Sequence, residues 1–272
     1  MGSGIAEVSA RAGCDVVVRE VDRAALDRGR SRVEASLRRA EKGGKLGELT
    51  ADDVLARIRF ETELDAFADR QVVVEAVVES EPEKAAVFEA IDAVVEDEHA
   101  VLASNTSSIP IMKLAMATQR PESVLGIHFF NPVPVLRLVE LVPSLLTSEA
   151  TITEAESFAV GTLGKRAIRS QDRAGFIVNA LLIPYILSAI RMLESGFATP
   201  EDIDSGMVEG CAHPMGPLAL ADLIGLDTTA AVAASLYEEF KEPLYAAPPM
   251  LLRMVDAGLL GRKTGRGFSS YA

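Results

Sequence analysis

Two cysteines in 272 residues, Cys14 and Cys211, are too few for a disulfide framework. They fit a reducing cytoplasm, each read as a small buried apolar residue with no redox or metal motif around it. Basic residues are scarce as well: 27 Lys and Arg against 40 Asp and Glu leave a net charge of -13, a surface unsuited to nucleic acid. Long apolar runs are missing. The longest, Phe176 to Ile190, falls short of the roughly 20 residues of a membrane span and is interrupted by Asn179, Pro184 and Ser188. The first residues lack the cationic and apolar stretches of a signal peptide. No G-x-S-x-G, phosphate-binding loop or Cys–His pair supports hydrolase or kinase chemistry. The three histidines, His99, His128 and His213, have no metal-site spacing. What is present is an ordinary globular composition, 49% hydrophobic and 25% charged, at a length suited to two domains.

Helical periodicity over 3–12 is closed by Gly13, and a valine-rich strand over 15–19 follows. A charged helix over 23–42, a short helix over 52–56 and strands over 58–60 and 71–77 come next. The pattern continues with a helix over 81–96 and strands over 100–103, 123–128 and 135–142. A helix over 149–163 and a strand over 165–170 close this half. Short buried strands alternating with helices predict a mostly parallel α/β sheet wrapped on both sides. From residue 172 only helices are predicted, over 175–194, 200–210, 217–224, 228–240 and 249–257. The domains are therefore 1–171, α/β, and 172–272, all-α.

Several residues could carry chemistry. A dinucleotide site needs a glycine-rich turn and an acid at the end of the second strand. Gly2 is placed to be the third glycine of G-x-G-x-x-G, and Glu20 follows 18 residues later at a strand end. Glu20 reads equally as a cap or a solvated acid, and Arg19 beside it leaves NAD and NADP both open. Residues 19–45 hold nine cations against five acids, either a solvated helix face or a docking strip for a polyanionic substrate. His128 ends a strand, and Glu140 lies on the next strand, sharing a face with Leu136 and Leu138. Together they form either a proton-transfer pair or a structural histidine with an edge-facing acid. His99 reads as solvated and His213 as a turn residue. Ser107 and Ser108 suit N-caps of a helix starting near Pro110. Asn179, in an apolar helix that Pro184 should bend, suggests a pocket wall.

The strings ASNTSSI (103–109), GIHFFNPVPVLRLVELV (126–142), GFIVNALLIPY (175–185), CAHPMGPLALADLIGLDT (211–228) and GRKTGRGF (261–268) make the chain resemble the L-3-hydroxyacyl-CoA dehydrogenases, nearest their 3-hydroxybutyryl-CoA branch. The resemblance covers essentially the whole chain. It implies a Rossmann-like NAD-binding domain and a helical substrate and dimerisation domain, hence a homodimer. The implied reaction interconverts (S)-3-hydroxybutyryl-CoA, or another short-chain 3-hydroxyacyl-CoA, and acetoacetyl-CoA. By motif, His128 is implied as the general base, Glu140 as its support, and Ser107 and Asn179 as holders of the substrate oxygens. Gly2, Glu20, Ala76, Glu79, Lys84, Asn105 and Lys263 fall at cofactor positions, and Ser36 and Lys42 at the coenzyme A moiety. The implied cofactor is NAD, with NADP open. Ser269 departs from an aromatic position. The family's first strand and first two glycines, roughly ten to fifteen residues, are expected before Met1. Their loss would expose the edges of neighbouring strands. A fragment that dimerises but binds cofactor poorly, or a dehydrogenase of a free hydroxy or sugar acid, are the alternatives.

Overall fold

A computed structural model of the chain describes residues 1–271; residue 272, the end of the expected second domain, lies outside them. Two compact units divide the chain, Met1–Asp172 and Arg173–Ala272.

The first unit opens with α1 (Gly2–Arg11), β1 (Val16–Arg19), α2 (Arg23–Lys42), α3 (Ala51–Leu55) and β2 (Ile58–Glu61). It continues through β3 (Val72–Glu75), α4 (Glu81–Val94), β4 (Val101–Ser104) and α5 (Ile111–Ala115). The last elements are β5 (Val124–Phe129), β6 (Leu138–Pro143), α6 (Glu149–Glu156) and β7 (Arg166–Arg169). Strands β3, β4 and β5 are parallel, β6 runs antiparallel to β5, and β7 is parallel to β6, in the order β3-β4-β5-β6-β7. Strands β1 and β2 pair in parallel as a separate two-stranded sheet, so β1 and β3 each end a sheet.

The central strands are valine- and leucine-rich because helices cover both their faces. Ile5 and Val8 of α1 pack on Val101, Leu125, Ile127 and Phe129. On the other face Ile111 of α5 lies so close to Gly126 that a Cβ there would stand 3.0 Å from its Cδ1 and 3.0 Å from Val142 Cβ. A smaller cluster joins Val33 and Leu37 of α2 to Ala51, Val54 and Ile58.

The second unit is α7 (Val178–Glu194), α8 (Pro200–Cys211), α9 (Pro217–Ile224), α10 (Leu226–Phe240) and α11 (Pro249–Asp256). Its core gathers Ile183, Ile186, Ile190, Leu226, Leu236 and Leu251. No single helix among the described residues is long and apolar enough to cross a membrane.

Four sequence expectations need correction. Helix α7 starts at Val178 rather than Gly175, because Gly175 and Phe176 have φ of 75° and 50°, outside the helical region. Asn179 therefore sits half-buried in the first turn, and the helix continues unbroken through Pro184. Strand β6 begins at Leu138, since Val133 and Leu136 turn their carbonyls onto the Lys165 ammonium at 2.5 and 2.7 Å, which leaves Leu136 exposed. Helix α6 gives way after Glu156 to a π-helical turn over 157–162. Cys211 is exposed and Cys14 only half-buried, so neither is a buried core residue.

Candidate active site

The carboxyl ends of β4, β5 and β3 converge on one polar network. His128 is the penultimate residue of β5, a strand whose six residues are all buried. Antiparallel register sets Glu140 of β6 directly opposite it. The His128 Nδ1 lies 2.7 Å from Glu140 Oε2, with the two residues 4% and 0% exposed. A carboxylate oxygen accepts, so this bond places the hydrogen on Nδ1 and turns the acceptor nitrogen, Nε2, outward. The Ser107 hydroxyl stands 3.0 Å from Nε2. Ser107, His128 and Glu140 thus form a continuous relay, and the paired alternative for His128 and Glu140 is the one observed.

Ser107 is aimed by its loop. Glu79 Oε1 accepts from the Thr106 hydroxyl at 2.5 Å and from the Ser107 and Ser108 backbone N–H groups at 2.9 and 3.2 Å. Burial pushes the Glu79 carboxyl up, but the Thr106 hydroxyl, the Lys84 charge and the Ser107 N–H outweigh it and hold the group below its ordinary range. Lys84 is 1% exposed and donates to Glu75 Oε1 at 2.7 Å, with Glu79 Oε2 at 3.4 Å. Glu75 Oε2 accepts from the Ser104 hydroxyl at 2.7 Å. Asn105 Oδ1 accepts from the Phe129 N–H at 2.9 Å and ties the β4 loop to the end of β5.

Ser107 and Ser108 do not cap α5. Asp172 does, its two carboxylate oxygens accepting from Ile111 and Met112 N–H at 2.7 and 2.8 Å. Glu75, Ser104, Thr106 and Asp172 escape the sequence reading. A glutamate inside the run VVVEAV was the available signal for Glu75, since a buried acid needs partners.

At the end of β1, Glu20 donates its backbone N–H to Glu61 O. Arg19 directs Nε to Thr62 O at 2.9 Å. A Cβ on Gly2, in the first turn of α1, would stand 3.7 Å from Ala76 Cβ, an ordinary contact. The tight glycine of this helix is Gly4, where a Cβ would meet Val133 Cβ at 3.0 Å. Ser36 lines a cavity of about 230 Å³ with Arg32 and Pro134, whereas Lys42 is exposed and lines neither this cavity nor its larger neighbour. In the second unit Lys263 pairs with Asp227. His99 is exposed, and His213 Nδ1 lies 3.2 Å from the Tyr185 hydroxyl.

A histidine whose outward nitrogen can take a proton, set at the strand ends of a doubly wound α/β unit that precedes a helical one, is the arrangement of a pyridine-nucleotide-dependent alcohol dehydrogenase. The chain belongs to the 3-hydroxyacyl-CoA dehydrogenase family: residues 1–173 match the sequence model of its NAD binding domain and 175–271 that of its C-terminal domain. It is 59% identical over 271 residues to the 3-hydroxybutyryl-CoA dehydrogenase of Mycobacterium tuberculosis, covering 100% of the chain and 95% of that protein. The crystal structure of M. tuberculosis FadB2 superposes with a TM-score of 0.99 at 59% identity, covering 100% of the chain and 95% of FadB2. That of (S)-3-hydroxybutyryl-CoA dehydrogenase PaaH1 from Ralstonia eutropha gives 0.93 at 46%, with the same coverage.

The donor set suits NAD. The N-terminus of the ten-residue α1, with Gly2 beside the small Ala76, favours a pyrophosphate through its dipole. A carboxylate at Glu20 suits ribose hydroxyls.

Proposed function

We infer that the protein is an NAD-dependent dehydrogenase interconverting (S)-3-hydroxybutyryl-CoA and acetoacetyl-CoA. The observation that carries this reading is the Ser107–His128–Glu140 relay, which combines a hydroxyl able to hold the substrate oxygen with a base of fixed tautomer. NAD, when bound, supplies the acceptor for the hydride leaving C3.

His128 Nε2 takes the 3-hydroxyl proton as that hydride departs, and returns it in the reverse direction. The charge that develops on the imidazole is stabilised by Glu140, held behind it at 2.7 Å. Ser107 donates to the substrate oxygen and keeps it within reach of Nε2, a positioning contribution that makes the step effectively unimolecular. Asn179, on the first turn of α7, is the second holder of substrate oxygens in this reading. Glu79 and Lys84 act on the serine loop: both lie under it, and the Lys84 ammonium is enclosed by Glu75 and Glu79. Asn105 fixes the end of β5 that carries His128.

Glu20 at the ribose position supports NAD over NADP, because a 2′-phosphate there would meet a carboxylate. Arg19, engaged by Thr62 O, is not turned to relieve that repulsion. Ser36 and Lys42 on α2 meet the coenzyme A moiety in this reading, and Lys263 the cofactor. A homodimer through the helical unit is supported by its exposed apolar side chains, Leu181 at 73% and Phe197 at 78%.

The test is the initial rate of NADH and of NADPH oxidation with acetoacetyl-CoA and with free acetoacetate. NADH with the thioester should be the preferred pair by a wide margin in kcat/KM. Preference for the free acid would support a dehydrogenase of free hydroxy acids and overturn the reading.

A further inference from the structure

The last turn of α10 carries Glu238 and Glu239 and no basic residue. The carboxyl end of a helix is its negative pole, so an acid there is unfavourable for the helix itself. Glu239 is explained instead by what it binds. Its Oε2 accepts from the Ala174 backbone N–H at 2.8 Å, and its Oε1 from Arg173 Nε at 3.2 Å. The Arg173 guanidinium also lies over the ring of Phe240, 4.7 Å from its centroid. One turn back, Leu236 presses on Gly175, where a Cβ would stand 2.9 Å from the leucine Cδ2. Positions 236, 239 and 240 share one face of α10 by their helical spacing. That face therefore holds Arg173, Ala174 and Gly175 together.

The held residues begin the turn that leads into α7. Gly175 and Phe176 have φ of 75° and 50°. Two successive residues in the left-handed region cost free energy, and for Phe176 the conformation is one that surrounding contacts must impose. The turn closes on itself through the Phe176 N–H to Arg173 O at 3.0 Å and the Ala180 N–H to Gly175 O at 3.1 Å. Ala174 and Phe176 are 4% and 7% exposed, so the turn is enclosed rather than loose. Ile177 at the N-cap of α7 carries no side-chain acceptor, so the direction in which the helix sets out is inherited from the turn before it. Asn179 stands in that first helical turn.

We propose that Glu239 is a positioning residue for the reaction: by gripping Ala174 it fixes the left-handed turn, and with it the place of Asn179, the second holder of substrate oxygens. The assignment rests on the proposed activity for the role of Asn179, and on the second unit alone for its geometry. The bond to the Ala174 backbone carries the effect. The pair with Arg173 contributes less, because the two side chains are 59% and 30% exposed and water screens them.

Amide hydrogen exchange over residues 173–180, together with steady-state kinetics, tests this on Glu239→Ala, Glu239→Gln, Asn179→Ala and the Asn179→Ala/Glu239→Ala double variant. In Glu239→Ala, folded by circular dichroism, exchange over the turn should speed up. Its kcat/KM for acetoacetyl-CoA should fall about tenfold or more, with KM for NADH little changed. Glu239→Gln keeps an oxygen for the Ala174 N–H and should retain most of the wild-type kcat/KM. In the Asn179→Ala background the loss of Glu239 should cost less than about twofold, since its effect passes through Asn179. Unchanged exchange would overturn the grip on the turn. A loss as large without Asn179 as with it, or as large in Glu239→Gln as in Glu239→Ala, would overturn the positioning role. If exchange speeds up in Glu239→Ala but the wild type does not reduce acetoacetyl-CoA, the proposed activity fails and the grip on the turn stands. If the wild type reduces acetoacetyl-CoA and Glu239→Ala does so equally well, the positioning role alone fails.

Discussion

Proton transfer by His128 depends on which ring nitrogen holds the hydrogen, and Glu140 makes that choice. Glu140→Gln can present its NH₂ to Nδ1 and so favour the opposite tautomer, with Nε2 protonated. The expected result is a kcat lower by about 10²-fold, with KM for acetoacetyl-CoA little changed, in a steady-state NADH assay. A rise in KM alone would show that Glu140 only shapes the pocket. Glu79 yields a pH signature. Its folded-state pKa is depressed, so the stability it contributes is complete above the ordinary carboxylate range and is lost as pH falls through the folded value. The gap in urea midpoint between wild type and Glu79→Gln should therefore be wide at neutral pH and close in acid; a gap that widened in acid would contradict it. His128 and Glu140 were legible in the sequence, because each interrupts a strand that otherwise buries apolar residues. Glu75, Ser104 and Lys84 were not legible as a group. Parallel pairing of β3 with β4 sets Glu75 opposite Ser104, and no local pattern reveals which strands become neighbours.

Helices and strands owe their positions here to a few tight or capped junctions. The first two N–H groups of α5 are satisfied by Asp172, 61 and 60 residues later in the chain. Asp172→Ala should cost about 1 kcal/mol, measured by urea unfolding, and a loss within error would show that water replaces the cap readily. Gly126 leaves no room between Ile111 and Val142, so Gly126→Ala should destabilise by about 1–3 kcal/mol. An unchanged urea midpoint would mean that α5 shifts at no cost. Most elements were readable from apolar periodicity, with differences of a few residues at their ends. The serines before α5 looked like caps because capping by an adjacent residue is what a sequence displays; a cap delivered from Asp172 is set by tertiary packing. The late start of β6 has the same origin, since Lys165 draws the preceding carbonyls out of strand geometry.

For the chain as a whole, a net charge of -13 would repel a polyanionic substrate unless its cations were gathered. They are gathered partly along α2 and partly around the larger cavity. Raising ionic strength should therefore raise KM for acetoacetyl-CoA while leaving kcat nearly constant; a salt-independent KM would show that the gathered charge takes no part in capture. The division into an α/β half and a helical half was legible from the change of pattern near residue 171. The family was legible from motifs, and the assembly of the serine loop only from the structure. The most direct measurement is NADH oxidation by wild type and His128→Ala with saturating acetoacetyl-CoA. Wild type should form the (S)-alcohol, and the variant, folded by circular dichroism, should lose about 10²-fold or more in kcat. Undiminished turnover in the variant would contradict His128 as the base.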